Sequence, residues 1–196
     1  MPVPNTSAEP AFDAIVVAGA RSARLDGVDK ALLDVGGLTL LDRALRAVRG
    51  ARRVVVVGPA RPTADEVRWC EEDPAGGGPV AAFAAGLAAA DSDVVVLLAV
   101  DLPFVAPAIP RLLAAAADLA VLVDATGRVN YLASAWRRDV AEARLEAIGD
   151  PAGASMRALV GGVAAVGVDD VGGWSDDCDT WDSLEAARTR AAQEGS

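Results

Sequence analysis

Histidine is absent from the 196-residue chain. That absence removes Ser-His-Asp and Cys-His nucleophile systems, HExxH zinc sites and imidazole general bases together. Catalysis must then rest on carboxylates, lysine, arginine or a metal. Cysteine is scarce: Cys70 and Cys178 show no CxxC spacing, so neither a disulfide framework nor a thiolate zinc site is indicated, and a reducing cytoplasm fits. Basic residues number 18 against 28 acidic ones, and the formal charge of −10 argues against general affinity for a nucleic-acid backbone. Any phosphate ligand must be held locally. No apolar run reaches the roughly 18 residues of a spanning helix. The opening MPVPNTSAEP lacks the basic and apolar regions of a signal peptide, so a soluble cytoplasmic protein without membrane contact is expected.

What the chain has is apolar content, 53% against 23% charged, in a length that suits one domain with a sizeable core. Residues 1–10 read as a flexible leader, 11–190 as the domain and 191–196 as a flexible tail. Apolar runs that read as buried strands recur at Ala14–Val17, Val54–Val57, Val94–Val100 and Ala120–Val123, with a weaker run at Val163–Val168 and a short one at Val67–Cys70. Helical patterns separate them at Leu38–Val48, Val80–Ala90, Ala108–Ala117, Val140–Ile148, Ser155–Val160 and Thr180–Ala192. The alternation predicts an α/β sandwich, a mostly parallel sheet covered by helices on both faces. Ligands of such sheets gather at the carboxyl ends of the strands, so chemistry is sought just after each run.

The first run leads into Val17-Ala18-Gly19-Ala20-Arg21-Ser22-Ala23-Arg24 and on to Asp29-Lys30. Small residues let backbone N–H groups approach an anion, while Arg21, Arg24 and Lys30 can neutralise phosphate oxygens. The alternative is a solvated basic loop. The spacing is neither GxGxxG nor GxxxxGK[ST], which excludes a dinucleotide fingerprint and a Walker loop. Lys30 is the one lysine of the chain, and its compact ammonium can meet a phosphate where a planar guanidinium does not fit. Asp101, in Val100-Asp101-Leu102-Pro103-Phe104, emerges where a carboxylate can meet Mg²⁺ and phosphates, or it can cap the next helix. Asp179 can complete a metal site with Asp101, or belong with Thr180 and Asp182 to the cap of the last helix. In Glu71-Glu72-Asp73-Pro74-Ala75-Gly76-Gly77-Gly78-Pro79 the glycines allow a flat ligand against the backbone and Asp73 can accept from the N–H donors of a guanine; otherwise the glycines only make a turn.

Taken in order, these four sites resemble the molybdenum cofactor guanylyltransferase family within the wider nucleotidyltransferases. The family's opening pattern, roughly LAGG-x-S-x-R-M-G-x-D-K-x-L, is met by Val17-Ala18-Gly19, Ser22, Arg24 and Asp29-Lys30-Ala31-Leu32. Its GPLAG, D-x-PF and N-x-NTPEDL patterns look like Gly78-Pro79-Val80-Ala81, Asp101-Leu102-Pro103-Phe104 and Asp177-Cys178-Asp179-Thr180-Trp181-Asp182-Ser183-Leu184. The resemblance spans about Ala14 to Arg188, and the opening motif with its Asp-Lys pair is its most specific part. The chain departs at Ala20, where the family has a second glycine, at Asp26, where a glycine is usual, and at Asn130-Tyr131-Leu132, where relatives tend to have His or Gln followed by Pro-Leu.

The resemblance implies a single-domain Rossmann-like nucleotidyltransferase sandwich of GT-A type. It implies transfer of GMP from GTP to molybdenum-bound molybdopterin with release of pyrophosphate. Lys30, Arg24 and Asp101 would be catalytic; Val17, Ala18, Gly19, Ala20, Ser22, Arg24, Lys30, Asp73, Gly78 and Asp101 would surround the nucleotide; Asp101 and Asp179 would hold Mg²⁺. The partners implied are GTP and a molybdopterin-type acceptor, with transient contact to proteins that handle the cofactor. Lys30 is expected on an exposed loop, so that Lys30→Ala should cost turnover rather than stability. The alternatives are a cytidylyltransferase acting on molybdopterin, a transferase for another small phosphorylated acceptor, and a degenerate nucleotide-binding module, the last motivated by Ala20, Asp26 and Asn130.

Overall fold

The valine-rich runs become the centre of one seven-stranded sheet in a computed structural model that describes residues 10–19, 25 and 27–195. Its strands are β1 (Phe12–Val17), β2 (Val54–Val57), β3 (Arg68–Cys70), β4 (Val94–Ala99), β5 (Leu119–Val123), β6 (Val129–Arg137) and β7 (Ala165–Asp169), in the spatial order β3-β2-β1-β4-β6-β5-β7. Every pairing is parallel except those of β6, which runs antiparallel between β4 and β5. The expected α/β sandwich with a mostly parallel sheet is present, with β6 as a strand that the apolar runs did not mark. Its inner half, Ala133-Ser134-Ala135-Trp136, is fully buried but built partly of small residues with weak strand preference. Pairing with β4 and β5 imposes the extended state.

The helices are α1 (Leu40–Ala47), α2 (Pro79–Ala89), α3 (Ile109–Ala115), α4 (Arg138–Ile148), α5 (Met156–Val160) and α6 (Trp181–Glu194). Thr39 starts α1 through a capping box, its hydroxyl accepting from the Asp42 N–H at 3.0 Å while the Asp42 carboxylate accepts from the Thr39 N–H at 3.3 Å. At the other end of the chain α6 continues to Glu194, into the stretch expected as a tail, and Ala191 packs against the core. The expected leader lies almost wholly outside the described residues. Among the described residues no helix is long and apolar enough to cross a membrane.

Alternation along the strands divides the core into two layers. Ala14 and Val16 of β1 face Leu41 of α1, Leu112 of α3 and Leu184 of α6, while Ile15 faces the side of Phe83 of α2, Ala141 of α4 and Leu159 of α5. Each large side chain buried this way contributes about 1.5–3 kcal/mol. The register then decides where the chain turns. Val17 pairs with Val57 and Ala99, and Val57 with Cys70, so four neighbouring strands end together. Ala18-Gly19, Gly58, Glu71-Glu72 and Val100-Asp101 therefore leave the sheet at one rim.

Candidate active site at the carboxyl rim

Between β1 and α1 the chain forms a short 3-10 turn, Lys30–Leu32, which Asp29 caps by accepting from the Ala31 N–H at 3.2 Å. The turn directs Lys30 inward. Its residue is only 4% exposed, and Nζ donates to Asp101 Oδ2 at 2.7 Å and to Asp179 Oδ1. The exposed loop lysine expected from the sequence is thus a buried one that offsets two carboxylates. Burial alone would lower the ammonium pKa, but Asp101 and Asp179 outweigh it and hold the group above the ordinary lysine value. Lys30 stays charged throughout the physiological range.

Each carboxylate had a capping role as its alternative, and the local structure assigns both caps elsewhere. After β4 the next helical residues begin at Ala106, preceded by Val105, and α3 follows Ala108, so Asp101 caps neither. α6 is capped by Thr180, whose hydroxyl accepts from the Ser183 N–H at 3.1 Å, leaving the Asp179 carboxylate to Lys30. The Cys178 N–H donates to the Asp101 carbonyl at 3.1 Å, which fastens the two acidic segments together. Upstream, the Asp170 carboxylate accepts from the N–H groups of Gly172, Trp174 and Ser175 at 3.0, 2.8 and 2.8 Å. Burial opposes ionisation of Asp170, yet the Ser175 hydroxyl and these N–H groups prevail and hold its pKa low. Asp177 has the opposite balance: burial first, then Asp179 and Asp101, push it above the usual aspartate value. The Cys178 thiol, enclosed and next to Asp101, is pushed up to about 12 and is inert as a nucleophile.

At the end of β1, Val17 closes the strand and the Ala18 N–H donates to the Val57 carbonyl at 2.8 Å, which sets Ala18-Gly19 at the rim. Ala20, Ser22, Arg24 and Asp26 lie outside the described residues. Gly58, with φ 141°, lets the exit of β2 press on this loop, because a Cβ there would lie 2.8 Å from the Ala18 carbonyl carbon and from Gly19 Cα. Gly78 precedes α2 with φ 92°, and among the described residues other than its chain neighbours no atom lies within 4 Å of where its Cβ would be. Asp73 is exposed on the turn. The carboxylate that reaches the loop belongs instead to Glu72, which accepts from the Gly76 N–H at 3.2 Å and lies 3.5 Å from where a Cβ on Gly19 would stand. Its position just after β3, at a strand end, was the available signal for it.

Beside the lysine and its carboxylates is a cavity of about 290 Å³ whose lining includes Asp101, Asp177, Asp179, Arg128, Asn130 and Tyr131. A neighbouring hollow of about 470 Å³ shares Arg128 and Asp177 and reaches Phe104 and Arg190. β6 supplies one wall of the first cavity: its antiparallel direction brings Asn130 and Tyr131 to the end of the sheet where β4 finishes. A hollow of about 730 Å³ lined by Arg49, Arg52, Arg53 and Arg68 contains none of the converging residues. Among the described residues no group of three or more acidic or cysteine side chains is arranged to hold a metal alone. Asp101 and Asp179 nevertheless turn toward one shared cation, and two hard carboxylates completed by substrate phosphates are the usual surroundings of Mg²⁺. The donor set fits that ion.

A charged lysine and paired carboxylates gathered beside the Ala18-Gly19 backbone at the carboxyl rim of a mostly parallel sheet form a site suited to a phosphate-bearing ligand. The chain is 37% identical over 139 residues to the molybdenum cofactor guanylyltransferase of Acidiphilium cryptum, covering 66% of this chain and 69% of that one. It belongs to the MobA-like NTP transferase domain family, whose pattern it matches over residues 14–166. A nucleotidyl transferase from Methanothermobacter shares the fold with a TM-score of 0.78 at 22% identity, over 94% of this chain and 99% of the other. The molybdopterin-guanine dinucleotide biosynthesis protein A of Archaeoglobus fulgidus does so with a TM-score of 0.69 at 18% identity, over 92% and 99%.

Proposed function

We propose that the protein transfers GMP from GTP to the terminal phosphate of molybdopterin, yielding the guanine dinucleotide and pyrophosphate. One observation carries the reading: the Lys30 ammonium lies 2.7 Å from Asp101 and bonded to Asp179 at the rim where the Ala18-Gly19 loop emerges. The activity named for the Acidiphilium relative supplies the substrates. An acceptor phosphate oxygen attacks the α-phosphorus, the bond from that phosphorus to the bridging oxygen breaks, and pyrophosphate leaves with the electron pair. The acceptor oxygen is already anionic, so no strong general base is required, in keeping with a chain that has no histidine.

Positioning and charge neutralisation supply the catalysis. The Ala18-Gly19 backbone and Arg24 hold the leaving pyrophosphate. Lys30 holds the two carboxylates together in the resting protein, and its flexible stem lets the ammonium turn to the α-phosphate. Glu72, lying against Gly19, takes the base-recognition role that the sequence suggested for Asp73. Asp101 and Asp179 would hold Mg²⁺, which would supply neutralisation of phosphate charge. The acceptor occupies the cavity lined by Arg128, Asn130 and Tyr131. A cytoplasmic setting, with transient contact to proteins that handle the cofactor, fits the two free cysteines.

Pyrophosphate release with Mg²⁺ and GTP, CTP, ATP or UTP, each with and without molybdopterin, tests the assignment. Release is expected with GTP and molybdopterin together. Release with CTP alone among the nucleotides would make the protein a cytidylyltransferase, and binding without release in any combination would make it a nucleotide-binding module.

A further inference from the structure

Arg61, in the segment that follows β2, belongs to none of the motifs read from the sequence. Its side chain is only 7% exposed. Nε donates to Asp29 Oδ2 at 2.7 Å and Nη2 to Asp29 Oδ1 at 2.8 Å, a bidentate fork on the residue immediately before Lys30. Nη2 also donates to the Ala18 carbonyl at 3.0 Å, and Nη1 to the Pro59 carbonyl at 2.9 Å. One planar group therefore ties together the loop after β1, the exit of β2 and the turn that carries the lysine. Asp29 is the hinge of this arrangement, because the oxygen that meets Nη2 also accepts from Ala31 and so fixes the start of the Lys30–Leu32 turn.

We propose that Arg61 is a positioning residue for the transfer: it holds Lys30 and the Ala18-Gly19 backbone in the mutual register that a single triphosphate requires. The proposal rests on Lys30 acting at the transferred phosphate. Arg61 needs no contact with the nucleotide to act in this way. Its fork is what the job requires, since a lysine in its place could bond one Asp29 oxygen as a point charge but could not reach the other oxygen and Ala18 at the same time. A displacement of the reacting groups by about 1 Å can lower a rate by about a hundredfold, so a loosened fork should be visible in turnover while the nucleotide still binds.

The test compares Arg61→Gln and Arg61→Lys in the wild-type and Lys30→Ala backgrounds, with each protein's melting curve recorded so that rates refer to folded material. Arg61→Gln should lower kcat by about ten- to a hundredfold with KM for GTP changed less than about threefold, and Arg61→Lys should lose activity to a smaller extent. In the Lys30→Ala background either substitution should change kcat by less than about twofold, because the group it positions is gone. An equal fractional loss in both backgrounds, or wild-type kcat in folded Arg61→Gln, would overturn the proposal. Amide hydrogen exchange on unliganded protein gives a readout independent of the reaction. Exchange in Arg61→Lys should quicken within residues 18–33 and remain unchanged in β4 and α2; unchanged exchange in 18–33, or a uniform rise through the core, would also overturn it.

Discussion

Around Lys30 two carboxylates, Asp101 and Asp179, share one ammonium, and the nearby Asp177 feels the charge of both. Breaking a fully enclosed ion pair costs about 3–5 kcal/mol; the Asp179 side chain is 39% exposed, so solvent screens part of the repulsion and loss of Lys30 should cost roughly 1–3 kcal/mol. Asp177 shows the strain of the cluster most directly. Burial and its acidic neighbours raise its pKa, so the folded protein holds that proton more tightly than the unfolded chain. Stability therefore falls as pH rises from the ordinary aspartate value through the raised one, and the full penalty is present above it. Asp177→Asn should raise Tm at pH 7.5 by on the order of 2 °C and lose that advantage below about pH 4. Equal melting temperatures at pH 7.5 would contradict this electrostatic description. The sequence made Lys30, Asp101 and Asp179 legible because strand ends and helix starts are places where chemistry can be sought. Arg61 was hidden for the opposite reason, since an arginine has no distinguishing context in a chain with many, whereas Glu72 stands near a strand end but between Glu71 and Asp73, where nothing in the sequence singles it out.

α2 packs closely on the sheet, with Gly86 directly against side chains of β1 and β2. A Cβ on Gly86 would overlap Ile15 Cγ2 and stand 3.1 Å from Val57 Cγ2, both in fully buried residues. Alanine favours a helix over glycine by about 1 kcal/mol, whereas overpacking a tight core costs about 1–3 kcal/mol. Gly86→Ala should therefore destabilise the protein by about 1 kcal/mol, read as a lower urea midpoint; an unchanged or higher midpoint would show that α2 has room to shift. Helices and the central parallel strands were legible because uninterrupted valine runs and 3.6-residue apolar patterns record burial directly, whereas the weaker run expected as a buried strand is β7, an edge strand that is mostly exposed. β6 was not legible, because its burial comes from strands on either side rather than from its own composition. The helix at Arg138 was expected two residues later for a related reason: Arg138 and Asp139 are polar, and the end of β6 places them in the first turn.

Across the whole molecule, a charge of −10 makes phosphate binding improbable over most of the surface and confines it to places where cations are built in. The register of β1, β2, β3 and β4 creates such a place by ending four strands together, and the segments leaving them bring lysine, carboxylates and a glycine-lined loop to one rim. That convergence depends on three-dimensional pairing, so the motifs could be read from sequence while their shared ligand could not. If this rim moves GMP onto a phosphate acceptor through Lys30, GTP labelled at the α-phosphate, supplied with molybdopterin and Mg²⁺ in single turnovers of wild type and folded Lys30→Ala, should show it. Label should appear in the molybdopterin product, formed at least about a hundredfold more slowly by the variant. Label that remains in GTP or appears only as free GMP with the wild-type protein, or transfer at the same rate by both, would contradict transfer through Lys30.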